Sequence, residues 1–329
     1  MRVFASLALA TALGISVLWP AAAVAQAAPK VDVDRLDYGL KARALAPGVW
    51  VVEGANADFT VQNGCNIINT GFIATGKGVV VINTGVSKRQ GEQLRALIAR
   101  TTAEPVIKVL QLNLHPDYFL GHQGFADVPR LATPATRAGV AREASAYEDN
   151  LYRLCGDWMK DTKALPPTVD LEVPSGGQAR TWKVGRREFE LREWTGHTDS
   201  DVVLIDKQSG VAFVGGLVFA QRIPTTPHAK VGPWLESLKA LEALGLRTVV
   251  PSHGPVHQGS EGIAQTRRYL QWLDGHFKKA AEQGLEMNEL LRSPVPEEFK
   301  GWAAFSTEYT RNVAHLYPVY EREVLKRGR

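Results

Sequence analysis

Val106-Ile107-Lys108-Val109-Leu110-Gln111-Leu112-Asn113-Leu114-His115-Pro116-Asp117-Tyr118-Phe119-Leu120-Gly121-His122 is the stretch on which the fold turns. Residues 106–112 are a short apolar run that fits a buried strand. The segment after them turns toward a helix. His115 and Asp117 are one residue apart, so a strand-end loop can direct both side chains toward one point. Zinc takes imidazole nitrogen and carboxylate oxygen, so such a loop is a candidate metal site. His-x-Asp is common by chance, and the rest of the chain has to agree with it.

Outward from that stretch the pattern repeats. Residues 26–46 form a polar lead-in. Residues 49–53, 66–74 and 78–83 are short β runs, with Gly76-Lys77-Gly78 as the turn between the last two. Residues 87–101 switch to helical spacing, with Leu94, Leu97 and Ile98 on one face. Helical stretches follow across about 117–126 and 134–163. A second β-rich block spans 169–219, with runs at 181–184, 188–193, 202–206 and 211–214. Residues 235–244 are helical, 248–251 a strand, 260–283 a long amphipathic helix, and 297–326 more helix. β-rich and helical blocks thus occur twice in succession. That predicts an α+β chain with two packed sheets and helices outside. No Pro/Gly/Ser linker divides the halves, so residues 26–329 are expected to form one domain, with the helices of 260–329 packed on it.

Two further histidines stand beside glycine where a β run ends. His197 lies in Trp194-Thr195-Gly196-His197-Thr198-Asp199-Ser200, and His253 in Val249-Val250-Pro251-Ser252-His253-Gly254. Three such loops on one edge of a sandwich can meet at a single site. His122, four residues after Tyr118, reads as a helix-surface or capping residue. His228, His257, His276 and His315 lack the loop-and-glycine setting and read as solvated or core residues. Tyr147, Tyr152, Trp158, Met159 and Trp194 are candidates either for an aromatic cleft or for the core.

The chain has 329 residues, 45% hydrophobic and 22% charged, with 30 Gly and 18 Pro, which excludes a collagen-like or disordered chain. The formal charge is +4 without a basic run, so no nucleic-acid partner is expected. Residues 1–25 read as a secretory signal peptide: Arg2 at the start, an apolar run over 5–18, and Ala23-Val24-Ala25 before Gln26. The run is shorter than the roughly 20 residues of a spanning helix. No later stretch is long enough either, so the expectation is a periplasmic protein without stable membrane insertion. In that oxidising compartment Cys65 and Cys155 are expected to form a disulfide; two buried free thiols are the alternative.

Taken together, these motifs resemble the metallo-beta-lactamase fold superfamily, and within it the exported quinoprotein relay system zinc metallohydrolases. The matching pieces are Val81-Ile82-Asn83-Thr84-Gly85, His115-Pro116-Asp117, Gly196-His197-Thr198, Phe213-Val214-Gly215-Gly216-Leu217 and Pro251-Ser252-His253-Gly254, spread over about residues 48–255. Arg311-Asn312-Val313 and Tyr320-Glu321 also look like this group. The resemblance implies a four-layer αββα sandwich with a two-zinc site on one edge. It also implies that the 134–163 segment overhangs the pocket and that Cys155 lies near it, where a thiolate ligand is conceivable.

In relatives the loop pattern is His-x-His-x-Asp-His, and an acidic residue after the Gly-Gly pair bridges the metals. Here Asn113 stands at the first histidine, Tyr118 at the last, Leu217 at the bridging acid and Asn83 at a supporting acid. An amide binds zinc poorly, a phenol has a pKa of about 10, and Leu217 has no donor atom. His115 and His197 remain for one metal position, Asp117 and His253 for the other. The resemblance then implies at most one zinc, held by some combination of these four, or a metal-free pocket.

Two functions follow. One is an exported metallohydrolase that cleaves a small ester, thioester or lactone. Asp117 would be metal ligand or general base, and Tyr118 would orient water or an oxyanion. The other is a non-catalytic protein that binds a small ligand, or a partner in a periplasmic quinoprotein oxidation system.

Overall fold

The computed structural model describes residues 28–327, so the expected leader, residues 1–25, lies outside the described residues. Val- and Ile-rich runs form the strands, because β-branched side chains pack well on a pleated surface. β1 (Arg43–Ala46), β2 (Val49–Val52), β3 (Thr70–Ala74) and β4 (Val79–Ile82) pair as an antiparallel meander. β5 (Val106–Leu110), β6 (Arg130–Ala132) and β7 (Val169–Asp170) then add in parallel to complete a seven-stranded sheet. Parallel neighbours need crossovers. These hold α1 (Lys88–Thr101), the single-turn α2 (Pro116–Phe119) with a 3-10 turn at Leu120–Phe125, and α3 (Pro134–Cys155).

The second sheet has six strands. β8 (Arg180–Val184), β9 (Arg187–Trp194), β10 (Asp201–Asp206) and β11 (Val211–Phe219) are antiparallel. After α4 (Val231–Glu242), β12 (Thr248–His253) joins β11 in parallel, and β13 (His257–Gln258) pairs on its outer edge. α5 (Glu261–Glu282), the short α6 (Met287–Leu290) and α7 (Glu297–Lys300), and α8 (Phe305–Arg327) close the chain.

The strand period of two sorts the side chains into layers. In β4, Val79 and Val81 face Leu94, Leu97 and Ile98 of α1. Val80 and Ile82 face the other way, toward Leu191, Val202, Leu204 and Phe213 of the second sheet. The far side of that sheet, Val203, Ala212 and Val214, packs under Trp234, Leu238, Leu270 and Leu273 of α4 and α5. Helix, sheet, sheet and helix therefore stack as an αββα sandwich. Each fully buried aliphatic side chain in these layers is worth about 1.5–3 kcal/mol. A separate cluster gathers Tyr38, Phe119, Leu151 and Trp158 around the Cys65–Cys155 disulfide, whose Cα atoms are 6.1 Å apart.

Some elements differ from the sequence expectation. β1 lies inside the supposed polar lead-in; it is a short edge strand with exposed Arg43 and Ala44, paired through its backbone. Residues 66–69 are loop, not strand, and Asn69 ties them to the Pro251 and Gly254 carbonyls at 3.0 and 2.8 Å. α3 stops at Cys155 because Gly156 takes a positive φ of 55°. No helix among the described residues is long and apolar enough to cross a membrane.

Candidate functional site

The site forms where β4, β5, β9, β11 and β12 end on one edge of the sandwich. Asn83, at a φ of 56° just past β4, accepts from the Leu112 backbone N–H at 3.1 Å and fixes the loop after β5. Asn113 accepts from the His115 N–H at 3.0 Å. Its amide donates to Asp201 at 3.2 Å and lies 3.4 Å from His197 Nδ1. That makes Nδ1 the acceptor, so Nε2 carries the proton and donates to Thr225 Oγ1 at 3.1 Å. Both ring nitrogens of His197 are engaged. Gly216 makes room for this arrangement: a Cβ there would lie 2.1 Å from His197 Nδ1.

The remaining donors meet in pairs. His115 Nε2 lies 3.1 Å from His228 Nδ1, and the His115 and His197 ring centroids are 4.3 Å apart. His253 donates from Nδ1 to the Ile67 carbonyl at 2.8 Å, which turns its Nε2 lone pair toward Asp117 Oδ2 at 3.3 Å. Phe219 touches both sides, with ring centroids 5.1 Å from His197 and 5.0 Å from His253. Burial pushes the Asp117 carboxyl up to about 7. Burial, reinforced by neighbouring imidazoles, holds His115 well below the usual histidine range; burial beside Arg222 does the same to His253. His115 and His253 are therefore neutral imidazoles beside a carboxyl that titrates near neutrality.

Above the pairs lies a cavity of about 470 Å³. His115, Asp117, His228 and His253 form its floor, Tyr147, Leu151 and Leu154 of α3 one wall, and Glu308, Arg311 and His315 of α8 another. Behind the floor Arg222 is fully buried; its Nε donates to the Ala57 carbonyl at 3.1 Å and its Nη2 lies 3.5 Å from Glu308.

The donors present do not fit the zinc that the sequence resemblance implies. A catalytic zinc keeps three protein ligands and one open position. His197 has no free nitrogen. Leu217 belongs to the apolar layer around Trp234. Tyr118 is fully buried between the sheets, and burial pushes its phenol well above the ordinary value, which rules out easy phenolate ligation. Arg222 places a fixed cation within electrostatic reach of Asp117 and His253. Among the described residues, no group of three or more His, Cys, Asp or Glu is arranged to hold a metal ion.

His115, Asp117, His197 and His253 do gather at one edge, as the three strand-end loops suggested. Tyr118 does not line the cavity. His228, read from sequence as solvated or core, lines the floor; its signal was a Pro-flanked loop, Pro224-Thr225-Thr226-Pro227-His228, directly after the β11 end. His122 is buried rather than on a surface, with Nδ1 2.8 Å from the Leu165 carbonyl. Of the aromatic candidates, Tyr147 lines the cavity, Trp158, Met159 and Trp194 are core, and Tyr152 is exposed. Asp201, Thr225 and Glu308 carried no sequence signal, and Arg311 stood only in the Arg311-Asn312-Val313 resemblance. Cys155 is held in the disulfide and offers no thiolate.

Comparison with known proteins agrees with the architecture. Residues 63–253 match the family model of the Metallo-beta-lactamase superfamily. No curated protein matches the chain. Among solved structures, a metallo-beta-lactamase from Pontibacter korlensis aligns with a TM-score of 0.57 at 23% identity, covering 70% of this chain and 99% of that one. One from Hirschia baltica gives 0.56 at 19%, covering 70% and 97%. A mono-zinc form of a Pseudomonas aeruginosa enzyme gives 0.56 at 16%, covering 70% and 95%. At these identities the likeness establishes the fold.

Proposed function

The chain belongs to the metallo-beta-lactamase superfamily, and from that premise we propose that it is an exported small-molecule-binding protein, using the superfamily's pocket without a zinc centre. The pairing of the donors carries this reading: His115 is matched to His228, His197 to Asn113 and Thr225, and His253 to Asp117. The replacements at Asn83, Asn113, Tyr118 and Leu217 support it. The apolar α3 wall takes the body of a ligand and the floor its polar head, the usual division in small-molecule sites. Export by removal of residues 1–25 to a periplasm, with residues 26–329 as one mature domain, belongs to the same proposal, and the buried disulfide suits that compartment. A quinoprotein oxidation system is the setting that the sequence resemblance suggests.

A second reading rests on Asp117. Its Oδ2 faces the His253 Nε2 lone pair at 3.3 Å, and two acceptors sit together only with a proton or cation between them. With its ionisation raised to about 7, the Asp117 carboxylate would take the proton from a water that attacks a small ester, thioester or lactone. His253, oriented by the Ile67 carbonyl, would hold it in place. Assays of the untagged mature protein with p-nitrophenyl acetate and a thiolactone separate the two. Binding without catalysis gives no rate above buffer. Turnover that disappears in Asp117→Asn establishes the hydrolase instead.

A further inference from the structure

We propose that Asn312 of α8 is a positioning residue for the cavity floor: it holds the loop of residues 224–228 so that Thr225 and His228 stay paired with His197 and His115. The proposal rests on the pocket reading above and names the device that shapes its floor. Asn312 is fully buried. Its Nδ2 donates to the Pro224 carbonyl at 3.0 Å and to the Tyr269 hydroxyl of α5 at 2.9 Å, and its Oδ1 accepts from Thr226 Oγ1 at 2.7 Å. Both amide hydrogens and the carbonyl oxygen are thereby engaged. The two loop groups that Asn312 holds flank Thr225, whose Oγ1 accepts from His197 Nε2 at 3.1 Å. His228 follows two residues after Thr226, with Nδ1 3.1 Å from His115 Nε2. Thr225 and His228 line the cavity, whereas Asn312, Thr226 and Tyr269 stand behind it.

The loop is stiff enough to transmit this hold. Pro224 and Pro227 each fix a φ angle, and Thr226, preceding Pro227, is confined to extended backbone. The Ala229 N–H closes a turn on the Thr226 carbonyl at 3.2 Å, and the Lys230 N–H donates to the Gly196 carbonyl, beside His197, at 2.9 Å. Fixing the Pro224 carbonyl and the Thr226 hydroxyl therefore leaves Thr225 little freedom. α8 does not need Asn312 to dock: Val313, Leu316 and Tyr317 sit in the apolar layer, and Arg311 pairs with Asp58 at 2.9 Å. An apolar residue in place of Asn312 would pack as well there but would strand a buried hydroxyl and a buried carbonyl of the loop, which folded proteins avoid. A fully paired buried network instead specifies one loop arrangement.

The test is long-range proton–nitrogen NMR of the untagged chain spanning residues 26–329 with isotope-labelled histidine. His197 is expected to show an Nε2 proton that exchanges slowly with solvent, assigned by its absence in His197→Gln. Thr226→Val keeps the side-chain shape and removes the hydroxyl; it and Asn312→Leu are expected to speed that exchange at least about tenfold, because the ring's partner then sits on a loosened loop. Should Asn312→Leu fail to fold, the milder Thr226→Val carries the test. Thr226→Ser keeps the hydroxyl and is expected to keep the proton slow. Tyr269→Phe alters the same interior without touching the loop and is expected to leave it slow as well. A fast or missing Nε2 proton in wild type, an unchanged one in Thr226→Val, a Thr226→Ser that behaves like Thr226→Val, or equal loosening in Tyr269→Phe overturns the proposal. The ring itself is the readout, so any of these results leaves the pocket reading to its own assay.

Discussion

At Asn113 one side-chain amide holds a backbone N–H, a carboxylate and an imidazole at once. That economy leaves His197 with no lone pair to offer, and it depends on the missing side chain of Gly216. Gly216→Ala would drive a methyl group to 2.1 Å from His197 Nδ1, in a ring that is fully buried and cannot swing away. A loss of about 1–3 kcal/mol in urea unfolding is expected, as for other overpacked cores. Asp117 gives a second expectation at this scale. Its folded value near 7 lies above its unfolded one, so the native state keeps a proton that the unfolded chain releases between about pH 4 and pH 7. Stability falls as pH rises through that window. Asp117→Asn removes the effect, so its stability relative to wild type should climb from about pH 4 to pH 8, by up to roughly 4 kcal/mol. A difference independent of pH in denaturant titrations would refute the assignment. His115 and His253 act oppositely: held neutral in the fold, they lose stability for it as pH falls below the ordinary histidine value of about 6.5. The four polar residues at the strand ends were legible in the sequence because loop and glycine context marks such positions. His228 had only the weak mark of a Pro-flanked loop, and Asp201 had none, because their role comes from which loops the two sheets bring face to face.

At the scale of elements, α3 and the loop before β3 are walls of the cavity, and the Cys65–Cys155 disulfide joins them across 90 residues of chain. Phe59 and Ile67 flank Cys65, while Leu151 and Leu154 precede Cys155, and all four line the cavity. A thiol titration in denaturant should find no free thiol. Replacing both cysteines by alanine should cost roughly 4 kcal/mol on the chain-entropy model and loosen ligand binding more than it alters the sheets. Retention of full stability in the double variant would show that the cross-link is incidental. Most elements could be placed from periodicity, since helical and strand spacings sort apolar residues differently. β1 was hidden because an exposed edge strand has no apolar alternation to read. The contribution of α8 to the cavity was hidden because Glu308 is an ordinary surface residue in sequence and the Arg311-Asn312-Val313 motif gives no hint of where it packs; only the packing of α8 beside the site buries Glu308.

For the whole molecule, the two sheets and their outer helices supply a rigid edge, and the superfamily's architecture is retained across an αββα stack. What the edge presents has changed: side chains that would converge on metal ions are matched to each other, to Phe219 and to the buried Arg222–Glu308 pair. The central claim is that this protein holds a pocket and no zinc centre. Equilibrium dialysis of an untagged chain spanning residues 26–329 against zinc, followed by elemental analysis, tests it most directly. Below about 0.1 zinc per chain is expected. About one zinc per chain, lost in His115→Ala, would contradict it.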